Sequence, residues 1–175
     1  MKSKEERIKE YIEYMGDCDT FGYVNLDELG FFTAPASIMH HGNYEGGLFD
    51  HSLQVAKELV NLTEKLGLTW SRPESPYIVG MFHDLCKCDT YIYDDEMECF
   101  SFNPDVIIPG HGEKSIMLYQ KIDYLTDEEI ACIRWHMGAF DDEKMWDYYD
   151  RAIKKYPNVL YTHTADMIAS KIVGV

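Results

Sequence analysis

Apolar residues recur along this chain at helical spacing, set off by polar runs and by glycine or proline. Ile8, Tyr11, Ile12 and Met15 lie among charges at such a spacing, which predicts an amphipathic helix over residues 4–15. Gly16 to Thr20 breaks it, and residues 21–42, punctuated by Gly22, Gly30 and Pro35, predict short helical turns. Gly46-Gly47 opens a long helix to about Leu66, ended by Gly67, on which His51, Val55, Leu59, Leu62 and Leu66 share one face. The apolar run Tyr77 to Phe82 predicts a short buried helix from Pro76 to about Leu85.

Thr90 to Tyr93 and Met97 to Phe102 flank Asp94-Asp95-Glu96, the pattern of a β-hairpin, expected as a flap at the rim of a site. Ile107 to Gly110 reads as a loop, with His111 at the mouth of a helix from about Glu113 to Ile122. Thr126-Asp127-Glu128-Glu129 has capping-box form and starts a helix that turns Cys132, Ile133 and His136 inward and stops at Gly138. Residues 142–155 predict a charged helix studded with aromatics. Pro157 suits the first turn of a last helix that carries His163 and Asp166 one turn apart, before a short apolar tail. The expectation is an all-α helical bundle with one small β-hairpin. It spans 1–175 as one domain, with the helix at 4–15 as an elaboration and a motif-bearing core over about 35–170.

The charge changes the picture of partners. With 31 acidic against 16 basic residues, the formal net charge is −15. Such a surface repels polyanions, so long nucleic acid is disfavoured as a partner. The densest basic group, Lys2, Lys4, Arg7 and Lys9, alternates with Glu5, Glu6 and Glu10. A small anionic substrate held through a metal ion stays compatible, because the ion inverts the local field. Asp127 to Glu129 and Asp141 to Glu143 read as solvated surface and helix N-terminal charge. Five cysteines without paired CxxC spacing argue for a reducing compartment and against a disulfide framework or zinc ribbon; Cys86 and Cys88 read as structural thiols. The stretch Met1 to Arg7 lacks the apolar core of a signal peptide, and no apolar run approaches the length of a membrane span. A cytoplasmic location is the expectation.

The candidate chemistry lies in His51, His83-Asp84, His111, His136 and Asp166. Taken singly, each is as well explained by packing or a local hydrogen bond. Taken together, helix-face and helix-terminal positions direct them toward one interior, where imidazole and carboxylate are joint ligands for a divalent metal.

Their order, His…His-Asp…His…His…Asp, resembles the HD-domain superfamily of metal-dependent phosphohydrolases. The likeness extends to local text. Ala36 to Leu53 looks like the first-motif region of the YhaM-type 3′–5′ exoribonuclease branch and of some relaxase-associated HD domains. His83-Asp84-Leu85-Cys86-Lys87 is similar to the HDxGK motif, with Cys86 where glycine is usual. Gly110 to Ser115, Trp135 to Gly138 and His163 to Ser170 look like the third, fourth and terminal motifs. The resemblance implies a first metal on His51, His83, Asp84 and Asp166. It implies a second on His111 and His136, with Asp84 bridging.

Single-metal nucleotidases of this superfamily place a glutamate shortly after the His-Asp pair, where this chain has Lys87, which favours two ions. Asp84 and Lys87 are the expected catalytic residues, Lys87 as a point charge on a substrate phosphate. His40, His41, Tyr44, Lys114 and His163 are further candidates for substrate contact. The leading function is hydrolysis of a small phosphomonoester or phosphodiester, nucleotide-like, by metal-activated water. A di-iron oxygenase, similar to the oxidases that use the same six ligands, is the alternative; a non-catalytic nucleotide- or partner-binding module is a third. Iron, manganese, nickel, zinc and cobalt all suit such ligands.

Overall fold

The computed structural model describes residues 2–19 and 21–175; Met1, from the charged N-terminal stretch, and Thr20, from the expected helix break, lie outside the described residues. Ser3 starts helix α1 (Lys4–Met15) with a capping box: its hydroxyl accepts from the Glu6 N–H while the Glu6 carboxylate accepts from the Ser3 N–H. A short helix α2 (Tyr23–Glu28) leads through turns to α3 (Gly47–Leu66), α4 (Ser75–Phe82) and the single turn α5 (Lys87–Thr90). Strands β1 (Tyr91–Asp94) and β2 (Cys99–Phe102) form the antiparallel hairpin, with Tyr91 opposite Phe102 and Asp94 opposite Cys99. Helices α6 (Gly112–Tyr119), α7 (Asp127–Trp135), α8 (Trp146–Lys155) and α9 (Asn158–Met167) follow, and α9 runs on into a π-helix over Ile168–Val173. The fold is mostly α with one small hairpin, as the periodicity predicts.

Two close helix crossings set the architecture. A Cβ on Gly80 of α4 would lie 2.4 Å from the Ala56 Cα of α3, so glycine lets the two backbones touch. A Cβ on Gly112 of α6 would lie 2.6 Å from the Ile133 and Arg134 carbonyl oxygens of α7. The first crossing sets His83 beside His51. The second sets the turn that carries His111 against the end of α7, where His136 stands. Around them the core is aromatic: Phe21 stacks on Phe82 at 5.5 Å between centroids, Tyr119 closes on both at 5.2 Å, and Phe31 and Phe32 pack on Phe49. Residues 21–42 therefore supply core, although their side chains arrive from irregular turns that leave no period to read.

The structure corrects the expected elements at several places. Helix α4 ends at Phe82 rather than Leu85, because the backbone passes into i→i−3 turns, with Lys87 N–H on the Asp84 carbonyl at 2.9 Å and Cys88 N–H on the Leu85 carbonyl at 3.1 Å. Helix α6 ends at Tyr119, short of Ile122. The apolar tail is π-helical.

Glu128 and Glu129 are buried, not solvated. Glu129 accepts a bidentate pair from Arg72 at 2.8 and 2.9 Å, the Ser75 hydroxyl at 2.8 Å and the Thr126 N–H at 2.8 Å. Glu128 accepts the Ser71 N–H at 2.7 Å and the Asn158 amide at 2.9 Å. The loop before α4 folds over the first turn of α7 and converts its helix-start charges into a joint between α4, α7 and α9. No helix among the described residues is long and apolar enough to cross a membrane.

Candidate metal centre

Helix ends build the centre. His51 sits just inside the start of α3, on its buried face. His83 is the C-cap of α4, Asp84 follows in the turn, and His136 is the C-cap of α7. His111 caps the start of α6, and Asp166 lies at the end of α9, where the helix widens into its π-turn. All six residues that the sequence singles out as ligands meet there.

His51 Nε2 lies 3.3 Å from His83 Nε2 and 3.3 Å from Asp166 Oδ1. Asp84 reaches outward with both oxygens: Oδ2 lies 3.7 Å from His83 Nε2, and Oδ1 lies 3.4 Å from His136 Nε2 and 4.0 Å from His111 Nδ1. His51, His83 and Asp84 form one compact group, His83, His136 and Asp166 a second, and Asp84, Cys86 and His111 a third. These buried and half-buried imidazoles, carboxylates and thiol can hold a metal.

Three of the rings are held by backbone carbonyls. Nδ1 of His51 meets the Val175 carbonyl at 2.9 Å, that of His83 the Gly80 carbonyl at 2.8 Å, and that of His136 the Ile133 carbonyl at 2.7 Å. A backbone oxygen only accepts, so Nδ1 carries a proton in each ring and Nε2 is the atom turned inward. The Nε2 atoms of His51 and His83 face each other 3.3 Å apart, the spacing of two nitrogens that share one cation. His136 Nε2 is buried and makes no hydrogen bond among the described residues.

Burial pushes His83 down to about 4, which keeps its ring neutral. Burial also pushes Asp84 upward, but Lys87, His83 and His136 together outweigh it and hold the carboxyl well below the usual range. Asp166 is held at about 2, the hydrogen bond from His51 and the neighbouring rings outweighing burial. His136 is raised despite burial, because Asp84 faces it. Both carboxylates are therefore ionised and His83 is unprotonated at neutral pH.

Acid should expose this arrangement in the metal-free protein. His83 and the half-buried His41 (also lowered to about 4, by burial and by His51) bind a proton more weakly folded than unfolded. Their contribution to stability is complete above about pH 6.5, and is lost as pH falls toward 4. Urea unfolding is expected to give a stability lower by on the order of 2 kcal/mol at pH 5 than at pH 7. The expected sign is opposite for His136, whose raised value moves its own loss of stability to higher pH. An unchanged urea midpoint would contradict the buried neutral His83.

A cavity of about 390 Å³ opens over the cluster, lined by Asp84, Asp166, His111 and Lys87 and roofed by Phe102 of the hairpin. The Lys87 ammonium lies 5.6 Å from the Tyr91 ring centroid, and Asp84 keeps it charged against its burial. His40, His41 and His163 also line this cavity; His163 donates from Nδ1 to the His136 carbonyl at 2.7 Å.

Tyr44 and Lys114, expected at the substrate, lie elsewhere. Tyr44 donates to Asp50 at 3.1 Å and borders a separate cavity of about 670 Å³ behind the hairpin, because the turn before α3 swings it outward. Lys114 pairs with Asp89 at 2.5 Å on the far side of α6. Sequence reasoning also missed residues here. Lys171, Phe102 and Phe140 line the site cavity without any local signal, since their parent segments are a π-turn, a strand end and a short 3₁₀ turn. Cys86 lies within 3.6 Å of His111 Nδ1, and its place two residues after Asp84 was the available clue.

No family model, curated protein or solved structure matches this chain.

Proposed function

We propose that this protein is a metal-dependent phosphohydrolase of the HD type, acting on a small phosphomonoester or phosphodiester such as a nucleotide. The observation that carries the reading is the pair of inward Nε2 atoms of His51 and His83, facing each other between two ionised carboxylates. A buried site of that composition is unfavourable empty and favourable around cations.

His51, His83, Asp84 and Asp166 would hold one divalent transition ion. His111 and His136 would hold a second, with Asp84 shared between them. When bound, such ions neutralise phosphate oxygens and bring the pKa of a water toward neutrality.

The remaining residues bind and orient. Lys87, kept charged by Asp84, sits in the cavity wall as a point charge for a phosphate oxygen. His163, its Nδ1 committed to the His136 carbonyl, offers Nε2 to the same cavity. Phe102 and Phe140 give the non-phosphate part of the substrate an apolar wall, and Phe102 rides on the hairpin that would cover it. The cavity suits a small ester, and the net charge of −15 favours a short substrate over a long polyanion.

The test combines metal content with phosphate release from a panel of mono- and diesters, after metal removal and restoration with manganese, zinc, cobalt, nickel or iron(II). Wild type is expected to hold about two ions and His136→Ala about one. Lys87→Met should keep both ions and lose on the order of 100-fold in kcat/KM, the scale for removing one preorganised charge from a phosphoryl transition state. Two bound ions with no phosphate released from any ester would overturn the hydrolase reading. Oxygen uptake by the iron form would then replace it with an oxidase.

A further inference from the structure

We infer that Cys86 is a thiolate ligand of the second ion, so that the two positions of the centre differ in kind. This rests on the two-ion reading above and adds to it a sulfur donor that makes one position prefer a softer metal.

Cys86 is fully buried, yet its sulfur faces polar ligands. Sγ lies 3.6 Å from His111 Nδ1 and 3.9 Å from Asp84 Oδ1. Asp84 Oδ1 is in turn 3.4 Å from His136 Nε2 and 4.0 Å from His111 Nδ1. Around a tetrahedral ion with metal–sulfur near 2.3 Å and metal–nitrogen near 2.0–2.1 Å, ligand atoms should lie roughly 3.3–3.6 Å apart. The sulfur–nitrogen and the His136–Asp84 separations already have that size, the sulfur–Asp84 and His111–Asp84 ones need a few tenths of an ångström, and His136, which stands outside the Asp84, Cys86 and His111 group, closes on it when the ion binds.

The backbone fixes the thiol. The Cys86 N–H donates to the Ser115 hydroxyl at 3.1 Å, and that hydroxyl donates to the His111 carbonyl at 3.0 Å, so Cys86 and His111 are tied to one turn of α6. A second observation points to a ligand independently of the cysteine: His136 Nε2, fully buried and without a hydrogen-bond partner among the described residues, is aimed at Asp84 Oδ1 of this group at 3.4 Å. Cys132, buried in α7, belongs to the apolar core, and Cys88 borders the cavity behind the hairpin. Neither faces a histidine in a ligand group.

An ion entering between Asp84, Cys86, His111 and His136 displaces the thiol proton to solvent, and no bond is otherwise made or broken. The resulting N/O/S position favours zinc, cobalt or iron(II) over manganese and magnesium, whereas the His51, His83, Asp84 and Asp166 position is of N/O type.

Cobalt(II) reports the sulfur directly. Metal-free protein is titrated with cobalt under reducing, oxygen-free conditions, with uptake followed by elemental analysis and by near-ultraviolet absorption. The expected result is a sulfur-to-cobalt charge-transfer band that accompanies one of about two equivalents. The band should vanish in Cys86→Ser and persist in Cys88→Ser and Cys132→Ser. Loss of outer partners already weakens metal binding by about 10–100-fold. The second cobalt in Cys86→Ser should therefore weaken at least about tenfold, while the first is retained.

X-ray absorption on the zinc-loaded wild type needs no variant: a sulfur neighbour at about 2.3 Å is expected. Two cobalts bound without any sulfur band or sulfur neighbour would overturn the thiolate ligand and leave the two-ion centre standing. A band that survives in Cys86→Ser would also overturn it. Failure of the wild type to take up cobalt or zinc at all would remove the metal centre itself.

Discussion

Asp84→Asn is expected to cost the protein its second ion and at least about 100-fold in phosphate-ester hydrolysis, more than outer partners of a metal site usually contribute. The reason is positional. The two oxygens of Asp84 reach into different ligand groups, Oδ2 toward His83 and Oδ1 toward His136 and His111. It also supplies the negative charge that keeps the buried Lys87 protonated. Asparagine has the same shape, so helix content should be retained, but it brings no charge and only one acceptor. Elemental analysis after dialysis against excess zinc should give about one ion or fewer per chain, against about two in the wild type. Full occupancy with normal turnover in Asp84→Asn would show that the carboxylate is not shared, and the bridged arrangement would have to be abandoned.

Glu129→Ala is expected to produce the largest loss of stability, about 3 kcal/mol or more, the scale for breaking a buried ion pair by removing one partner. In a chain of 175 residues that corresponds to a fall in Tm of roughly 6–12 °C. Glu129 is wholly buried and accepts from Arg72, Ser75 and the Thr126 N–H, so its removal strands donors on α4 and α7 together.

Thr126→Ala separates this joint from simple capping. It removes the hydroxyl that accepts the Glu129 N–H at 3.2 Å and should cost only about 1 kcal/mol. Equal Tm values for the two variants would mean that Glu129 acts as a helix cap and nothing more. Helices α4 and α7 are joined at their starts by Glu129 and end at His83 and His136. Loosening the joint is therefore also expected to weaken binding of the second ion.

The ligands were legible because each stands where a helix pattern fixes its direction. His51 follows a glycine start and shares the apolar face of α3; His83 and His136 stand where apolar runs end; Asp166 is one turn from His163. Periodicity and caps are local properties, and local physics sets them. The same rules misplaced Glu128 and Glu129. A first-turn glutamate is normally solvated, and its burial depends on a loop more than fifty residues away in sequence bringing Arg72 and Ser71 to it. They also gave Tyr44 and Lys114 to the substrate, since nothing local says which way a turn swings a side chain or which carboxylate captures an ammonium.

What the sequence alone determined is the longer helices, the hairpin and the set of His and Asp residues in chain order, because these follow from spacing along the backbone. Only the tertiary structure decided that Gly80 and Gly112 allow crossings close enough to bring His51 to His83, and His111 and His136 each to Asp84. It also decided that Cys86 faces His111 rather than the core. Contacts of that kind depend on distances between segments remote in sequence, and the free energy that fixes them belongs to the packed whole.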